Sequence, residues 1–240
     1  MTRAERIRFD VPLYTVAEAA LIVDVPYSTL ASWAKGYVRR PPGRRPIVGA
    51  PILTAMQADR PGEPTIPFVG LVEALVLAAI RRSGVPMQRI RPALDALKSE
   101  IGVEYALASE KLYADGAEVL YDYGESCRGT DQGNCALDLV IVRSNQRVFV
   151  EIIQSYLRRI TYGDDGYATV ISVPAYELAE VVADPKRSFG APIFARAGAR
   201  VEDVLERFWA GETLLETAAE FGVPVGELED VIRVTSRRAA

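Results

Sequence analysis

The chain has 240 residues, 49% of them hydrophobic and 25% charged, a composition typical of a folded protein of one or two domains. It contains no histidine, which excludes serine–histidine and cysteine–histidine catalytic pairs and every zinc site with a histidine ligand. Residues 1–45 carry eight Lys/Arg and four Asp/Glu, a net charge of +4, whereas the rest of the chain has a net charge of −8. A basic segment that suits a polyanion therefore precedes an acidic remainder.

The two cysteines, Cys127 and Cys135, are too few for a four-thiolate zinc site, and their sparsity fits a reducing cytosol. The longest apolar run, 74–80, has seven residues, and roughly 20 are needed to span a bilayer. The charged N-terminal segment has no signal-peptide pattern. We therefore expect a cytoplasmic protein with no metal, no cofactor and no membrane partner.

The tripeptide x-Val-Pro occurs three times before an apolar helical pattern, at Asp24-Val25-Pro26, Gly84-Val85-Pro86 and Gly222-Val223-Pro224. A helix-turn-helix needs a small residue before such a turn and a large apolar residue after it, where the two helices cross. The first copy meets this with Ala20 and Leu30, and the third with Ala218 and Leu228. In the second copy Ile80 is too large for a close crossing, so this copy is predicted to be core.

The second helix of the first copy predicts a DNA-reading surface. Its outer positions carry hydroxyls and a cation, which suit phosphates and base edges: Tyr27, Ser28, Thr29, Ser32 and Lys35. Four arginines follow around a Pro-Gly turn, in the composition of a wing that grips the DNA backbone: Arg39, Arg40, Arg44 and Arg45. The alternative is a solvated surface hairpin. In the third copy, Glu227, Glu229 and Asp230 occupy the same surface and would repel phosphates.

A specific operator usually presents two half-sites, so a homodimer is expected. The nearly all-apolar helix 71–80 and a face formed by Met87, Ile90, Leu94 and Leu97 are the predicted seam. The alternative is that both faces are buried inside one protomer. On the outside of the second copy, Arg89 and Arg91 are secondary candidates for DNA contact.

From residue 105 the pattern predicts a small antiparallel sheet. Three hairpins are expected, over 112–121 around Asp115-Gly116, over 137–153 around residues 143–146, and over 158–173 around residues 163–166. A polar loop is expected over 124–134, and helices over 175–182 and 201–234. Asp138 and Glu151 have the spacing of a metal-dependent nuclease core, but Ile153 stands where such a core needs lysine. We therefore expect no enzyme and no catalytic residue.

The predicted fold class is α+β, in three regions. Residues 1–102 form a winged helix-turn-helix domain that binds DNA, 103–174 a small antiparallel β region, and 175–240 a C-terminal helical domain resembling a helix-turn-helix.

The C-terminal region resembles a known small domain. The segments that carry this resemblance are Val182-Ala183-Asp184-Pro185, Phe189-Gly190-Ala191-Pro192-Ile193-Phe194, Arg200-Val201-Glu202-Asp203-Val204-Leu205, Ala210-Gly211-Glu212, Ala218 and Phe221. The domain belongs to a family of uncharacterised function whose pattern is Asp-Pro, Gly-x-Pro-x-Ile, Val-x-Asp-Ile-Leu, Gly and a terminal helix-turn-helix. Many of its members look like antitoxins encoded beside PIN-domain ribonucleases. The match covers residues 180–235 and departs at Phe194, Ala195 and Ala197, where members often have Arg-Gly-Thr-Arg.

The N-terminal segments Tyr14–Ala20, Tyr27–Leu30 and Trp33-Ala34 look like a MerR-type helix-turn-helix. Together the two resemblances are similar to the larger VapB-like antitoxins. They imply a PIN-domain ribonuclease toxin as partner and operator binding that autoregulates an operon.

Two hypotheses of different classes follow. As an antitoxin, the protein would dock the toxin through Phe208 and Trp209, and the basic C-terminal tail would reach toward the toxin's metal site with Arg233, Arg237 and Arg238. For the tail, the alternative is solvated cations near a helix C-terminus. As a MerR-type ligand-responsive regulator without a toxin, the protein would hold an effector in an apolar cavity of the middle sheet.

Overall fold

The computed structural model describes residues 3–40, 43 and 45–239, and its first third consists of short helices and two small antiparallel sheets. The elements are α1 (Arg3–Asp10), β1 (Pro12–Tyr14), α2 (Val16–Ile22), α3 (Tyr27–Lys35), β2 (Tyr37–Arg39), β3 (Ile47–Gly49) and β4 (Ile66–Pro67). β1 pairs with β4, and β2 pairs with β3. The β2–β3 hairpin follows the helix pair α2–α3 directly, which is the order of a winged helix-turn-helix.

The centre of the core is α4 (Phe68–Arg82), which is followed by α5 (Met87–Ile101). Every residue of α4 from Phe68 to Ile80 is buried by other parts of the same chain, including α1, β4 and the helix over residues 151–157. The predicted dimer seam of helix 71–80 and the face of Met87, Ile90, Leu94 and Leu97 is therefore wrong. The surface of α4 is used within the protomer, and Ile90, Leu94 and Leu97 are buried there as well. The homodimer itself stays a prediction.

The middle of the chain is richer in helix than its sequence pattern indicates. Its elements are a 3-10 turn (Ala106–Ala108), α6 (Glu110–Ser126), α7 (Asp131–Leu137), β5 (Val140–Arg143), β6 (Gln146–Phe149), α8 (Glu151–Leu157), β7 (Ile160–Tyr162) and β8 (Ala168–Ser172). The hairpins β5–β6 and β7–β8 are confirmed. The turn of β5–β6 places Ser144 and Asn145 at φ of 46° and 65°, as a tight two-residue hairpin turn requires.

The predicted hairpin over 112–121 is wrong, because this segment lies inside α6. Leu112, Gly116 and Leu120 recur at four-residue spacing on the buried face of the helix. A Cβ at Gly116 would lie 2.6 Å from the Phe149 ring, so glycine here permits close packing instead of a turn. The predicted polar loop over 124–134 is partly wrong too, because α7 begins inside it at Asp131.

The last third continues the sheet and ends in three helices. Its elements are β9 (Val181–Ala183), a 3-10 turn (Ser188–Gly190), β10 (Ile193–Phe194), α9 (Val201–Trp209), α10 (Leu214–Phe221) and α11 (Val225–Ala239). The strands join β7 and β8 in a four-stranded antiparallel sheet of order β10-β9-β8-β7. The predicted helix over 175–182 is wrong, since this segment turns and enters β9. The helices predicted over 201–234 are confirmed.

The first and third x-Val-Pro copies fold alike. Thr15 and Glu18 form a reciprocal capping box at the start of α2, and Thr213 and Glu216 form the same box at the start of α10. Leu30 follows the first turn, and its counterpart follows the last turn; both are fully buried at the helix crossing. The helix-turn-helix predicted at each end of the chain is therefore confirmed.

Candidate nucleic-acid interface

α3 exposes only part of the surface predicted to read DNA. Tyr27, Ser28 and Lys35 are exposed. Thr29 is only 9% exposed, because it lies on the face of α3 that packs with the buried Leu30, and its assignment to DNA is therefore corrected. Ser32 is half-buried, and its hydroxyl donates a hydrogen bond to the carbonyl of Thr29 at 2.7 Å.

The wing is held in place at its base. The N–H of Ile52 donates to the carbonyl of Trp33 at 2.9 Å, which ties the exit of the wing to the end of α3. The Nζ of Lys98 donates to the carbonyl of Ile52 at 2.8 Å, and the buried carboxylate of Glu73 accepts the N–H of Thr54. The segment after the wing is therefore fixed between α4 and α5.

An aromatic ring organises the arginines of the wing. A Cβ at Gly49 would lie 2.3 Å from a ring carbon of Tyr37, so glycine is needed for the ring to cover β3. The guanidinium of Arg39 lies 5.5 Å from the centre of this ring, and that of Arg91, from α5, lies 5.8 Å from it. Arg91, a secondary candidate in the sequence, is thus brought beside the wing.

The tip of the wing is polar. Arg40 and Arg45 are exposed, as is Arg39 at the end of β2. Arg44 lies outside the described residues. On the opposite face of the ribbon, Val38 and Val48 form a directly facing and exposed pair.

The turn between α2 and α3 is an ionic junction that the sequence did not reveal. Asp24 adopts a φ of 57° there, a left-handed conformation that Asp tolerates better than most residues. Its carboxylate accepts hydrogen bonds from Arg82 at 2.8 Å and from Arg238 at 2.9 Å. These partners are 58 and 214 residues away in the chain, so no local pattern could have indicated them.

The tail predicted to be free is helical and partly paired. α11 continues to Ala239, and Arg238 in its last turn binds Asp24. Arg233 forms an ion pair with Asp230. These two arginines are therefore not the loose cations expected from the sequence, whereas Arg237 is exposed.

Asp230 was predicted to lie on the outer surface of the last helix, but the structure buries it, where it has a structural role. It is 1% exposed, and one carboxylate oxygen accepts the N–H groups of Glu177, Leu178 and Ala179 at 2.7–3.0 Å. Burial alone would raise the pKa of Asp230, but these hydrogen bonds and Arg233 outweigh it and hold the pKa below its ordinary value.

The residues proposed to bind a toxin lie at the end of α9. Trp209 is 56% exposed, Phe208 is half-buried, and Leu215 at the start of α10 is exposed as well. The nearby Arg207 pairs with Glu212 at 2.7 Å and with Glu220 at 3.2 Å. Between residues 201 and 230 the chain carries nine Asp/Glu and one Arg, so this apolar patch lies in acidic surroundings.

The middle region does not favour an effector site. A surface groove of about 650 Å³ lies beside the β5–β6 hairpin, but its lining is largely polar. Arg147 lines it, pairing with Glu118 at 2.9 Å and Asp122 at 3.0 Å and lying 4.3 Å from the centre of the Tyr121 ring. Such a groove differs from the apolar cavity that the ligand-responsive hypothesis predicted.

Metal-binding clusters and membrane-spanning helices are both absent from the described part of the chain. Within it, three or more His, Cys, Asp or Glu side chains nowhere gather in a group that could hold a metal ion. Among the described helices, none is both long and apolar enough to cross a membrane.

Comparison with known proteins identifies the family and its N-terminal DNA-binding domain, called the head below. A family model described as "Putative DNA-binding HTH domain" matches residues 12–94, from β1 into α5. The Mycobacterium tuberculosis (strain ATCC 25618 / H37Rv) protein named "Putative antitoxin VapB45" is 47% identical over 94% of this chain and 95% of its own. "Uncharacterized protein Rv2308" from the same organism is 25% identical over 95% of this chain and 92% of its own.

A solved structure agrees with these relatives. The X-ray crystal structure of Rv2018 from Mycobacterium tuberculosis has a TM-score of 0.83 and 44% identity, covering 94% of this chain and 99% of that one. The similarity therefore includes the C-terminal helices as well as the winged head. With 47% identity along nearly the whole of both chains, this protein belongs to the same family as "Putative antitoxin VapB45".

Proposed function

We propose that this protein is an antitoxin that represses its own operon through the winged head and neutralises a PIN-domain ribonuclease through its C-terminal helices. The observation that carries the proposal is the division of charge between two similar helix-turn-helix units. The N-terminal unit continues into an arginine-rich wing, and the C-terminal unit lies in a segment with nine Asp/Glu and one Arg. The first suits nucleic acid and the second suits a basic protein.

For DNA binding, α3 enters the major groove and presents Tyr27, Ser28 and Lys35, with the Ser32 hydroxyl as an acceptor. The wing lies along the backbone, where its arginines meet phosphates. The arginines involved are Arg39, Arg40, Arg44 and Arg45, with Arg91 beside them.

For toxin binding, the exposed ring of Trp209 is the anchor and Phe208 supports it. Buried aromatic side chains supply much of the free energy of protein interfaces. A ribonuclease binds RNA through a positively charged surface, and the acidic rim around the Trp209 ring complements such a surface. This complementarity favours a nucleic-acid-cleaving partner over an acidic one.

A narrower role remains for the tail. Clustered carboxylates hold magnesium in a PIN ribonuclease, and a guanidinium can pair with them in the absence of metal. Arg237 is the candidate, since Arg233 and Arg238 are paired within the chain. Arg237→Ala should therefore weaken inhibition of the ribonuclease, and Arg238→Ala, the matched control, should leave it unchanged. Equal inhibition by both variants and the wild type would remove the tail from the mechanism.

The decisive experiment is co-expression with the ribonuclease encoded beside this protein's gene. The tagged wild type should co-purify with the ribonuclease and abolish its activity. Trp209→Ala should reduce co-purification by about tenfold or more, as expected of an aromatic anchor. Val142→Ala, which shortens an exposed apolar side chain on β5, serves as the control. A wild type that neither binds nor inhibits the ribonuclease contradicts the antitoxin assignment.

A further inference from the structure

The segment 184–190 is a tight loop that carries an exposed aromatic ring on a strained backbone. Ser188 and Phe189 have φ of 47° and 52°, left-handed values that are unusual for residues other than glycine. Phe189 is nevertheless 77% exposed, the highest value among the large hydrophobic residues exposed in the described chain. Burial does not explain why this conformation is kept, and strain of this kind concentrates at functional sites.

The loop is fixed to the DNA-binding head. The buried hydroxyl of Tyr14 donates to the carbonyl of Gly190 at 2.9 Å. A Cβ at Gly190 would lie 2.2 Å from that hydroxyl, so only glycine allows the contact. Tyr14 directly precedes Thr15, the residue that caps α2. The first helix of a helix-turn-helix crosses the DNA backbone, and the loop is attached one residue before the N-cap of that helix.

The charge around the loop differs from that of the chain that surrounds it. Residues 185–201 contain four Lys/Arg and no Asp/Glu, within the part of the protein whose balance is −8. Two of the four, Arg196 and Arg200, form ion pairs with Glu180 and Glu202. Lys186 and Arg187 are exposed, and neither forms an ion pair with a described residue. The guanidinium of Arg187 donates a hydrogen bond to the carbonyl of Ala195 at 3.3 Å. The carboxylate of Asp184 accepts the N–H of Lys186 at 2.8 Å, so it is engaged by the backbone of the loop itself.

We propose that the loop 184–190 is a second DNA-contacting element, which binds the duplex just outside the site read by α3 and the wing. Lys186 and Arg187 contact phosphates, and the Phe189 ring packs against sugars or a base step in the adjacent minor groove. The proposal rests on DNA binding by the head and extends it to the C-terminal region. It gives a role to the Phe-Gly-x-Pro motif of that region, which the functions described above leave unused.

The test measures binding of the full-length protein to a duplex of about 40 base pairs from upstream of its own gene, long enough to extend beyond the few base pairs that one recognition helix reads. Fluorescence anisotropy over a range of salt concentrations gives the affinity. Phe189→Gly removes the ring and also relieves the left-handed strain, so its melting temperature should match or exceed that of the wild type. Its affinity should nevertheless fall about tenfold. Lys186→Ala should reduce the slope of log K against log salt by about 0.9.

Two control variants match these changes elsewhere on the surface. Leu178→Ala removes an apolar side chain that is 69% exposed, and Lys111→Ala removes an exposed cation from α6. Both should bind like the wild type. On a duplex shortened to the site covered by α3 and the wing, Phe189→Gly and the wild type should bind equally.

The outcomes separate this proposal from the one on which it rests. Wild-type binding with unchanged affinity and slope in both loop variants overturns the loop proposal and leaves the head as the DNA-binding unit. Loss of ribonuclease co-purification in Phe189→Gly, with DNA binding intact, assigns the loop to a protein partner and also overturns it. A wild type that binds neither duplex refutes both proposals together.

Discussion

At the scale of single residues, Asp230 shows how one side chain can determine the path of a distant segment. Its carboxylate satisfies three backbone N–H groups of the turn that leads into β9. A buried N–H group without a partner costs about 1–3 kcal/mol. The sequence pattern over 175–182 predicted a helix because this acceptor lies more than 50 residues further along the chain.

Replacing this carboxylate should destabilise the protein in a pH-dependent way. Asp230→Asn should lower the free energy of unfolding at neutral pH by about 2–4 kcal/mol, since the amide accepts fewer hydrogen bonds and lacks the charge paired with Arg233. The pKa of Asp230 is lower in the folded state than its ordinary value. Its contribution is therefore present above the ordinary pKa and is lost as the pH falls through the folded-state pKa.

Urea unfolding of both proteins between neutral and strongly acidic pH measures this difference. The difference in the free energy of unfolding between wild type and variant should decrease below about pH 4. Glu73→Gln is a control of opposite sign, because burial raises the pKa of Glu73 despite Lys98 and the Thr54 N–H. The stabilisation that protonated Glu73 gives to the folded protein is complete below the ordinary pKa of a glutamate, and it is lost as the pH rises through the folded-state pKa. If the loss of unfolding free energy in Asp230→Asn does not change with pH, Asp230 does not have the lowered pKa assigned to it.

At the scale of elements, turn-forming residues in the sequence predicted two hairpins correctly and a third wrongly. Ser144-Asn145 and the Gly-Asp-Asp-Gly sequence at 163–166 make the hairpins that they predict. Asp115-Gly116 carries an equally strong turn signal, yet it lies inside α6, because Gly116 makes room for the Phe149 ring. That ring is 33 residues away in sequence, and its approach could not be read from the local pattern.

The same distinction applies to the candidate site. The helix-turn-helix and wing were predictable because the helix-crossing residues, the turn and the arginines all lie between residues 20 and 45. The burial of Thr29, the position of Arg91 beside the Tyr37 ring and the pairing of Asp24 depend on tertiary contacts. The sequence could name the type of surface but not which of its side chains are free.

The predicted contact between the wing and the DNA backbone can be tested by substitution. Replacing Arg39, Arg40 and Arg45 together with alanine should flatten the slope of log K against log salt by about 0.9 for each phosphate that is no longer bound, and should weaken binding to all DNA sequences alike. Ser28→Ala should instead reduce discrimination between operator and random DNA. Competition titrations at several salt concentrations separate the two effects. A salt slope that stays the same in the arginine variant contradicts a backbone-gripping wing.

At the scale of the whole molecule, the burial of α4 changes where two copies could meet but not the reason to expect two. A single recognition helix reads only a few base pairs, and specific operators commonly present two half-sites. Light scattering at micromolar concentration should therefore return twice the chain mass of 26.3 kDa. Leu75→Ala should lower stability without changing the mass of the folded protein, because that side chain lies inside the protomer. A mass of one chain would rule out the dimer at that concentration.

The contacts of the head also bear on how the protein is made. Arg8 hydrogen-bonds to Asp165, Tyr14 to Gly190 and Arg238 to Asp24, across 157, 176 and 214 residues of sequence. A ribosome adds roughly 5–20 residues per second from the N-terminus, so the helix-turn-helix is synthesised well before these partners exist. Contacts between such distant residues form late in folding. We therefore expect the DNA-binding head to reach its final structure only after the C-terminal helices are complete, so that a nascent chain does not bind DNA before the rest of the protein has folded.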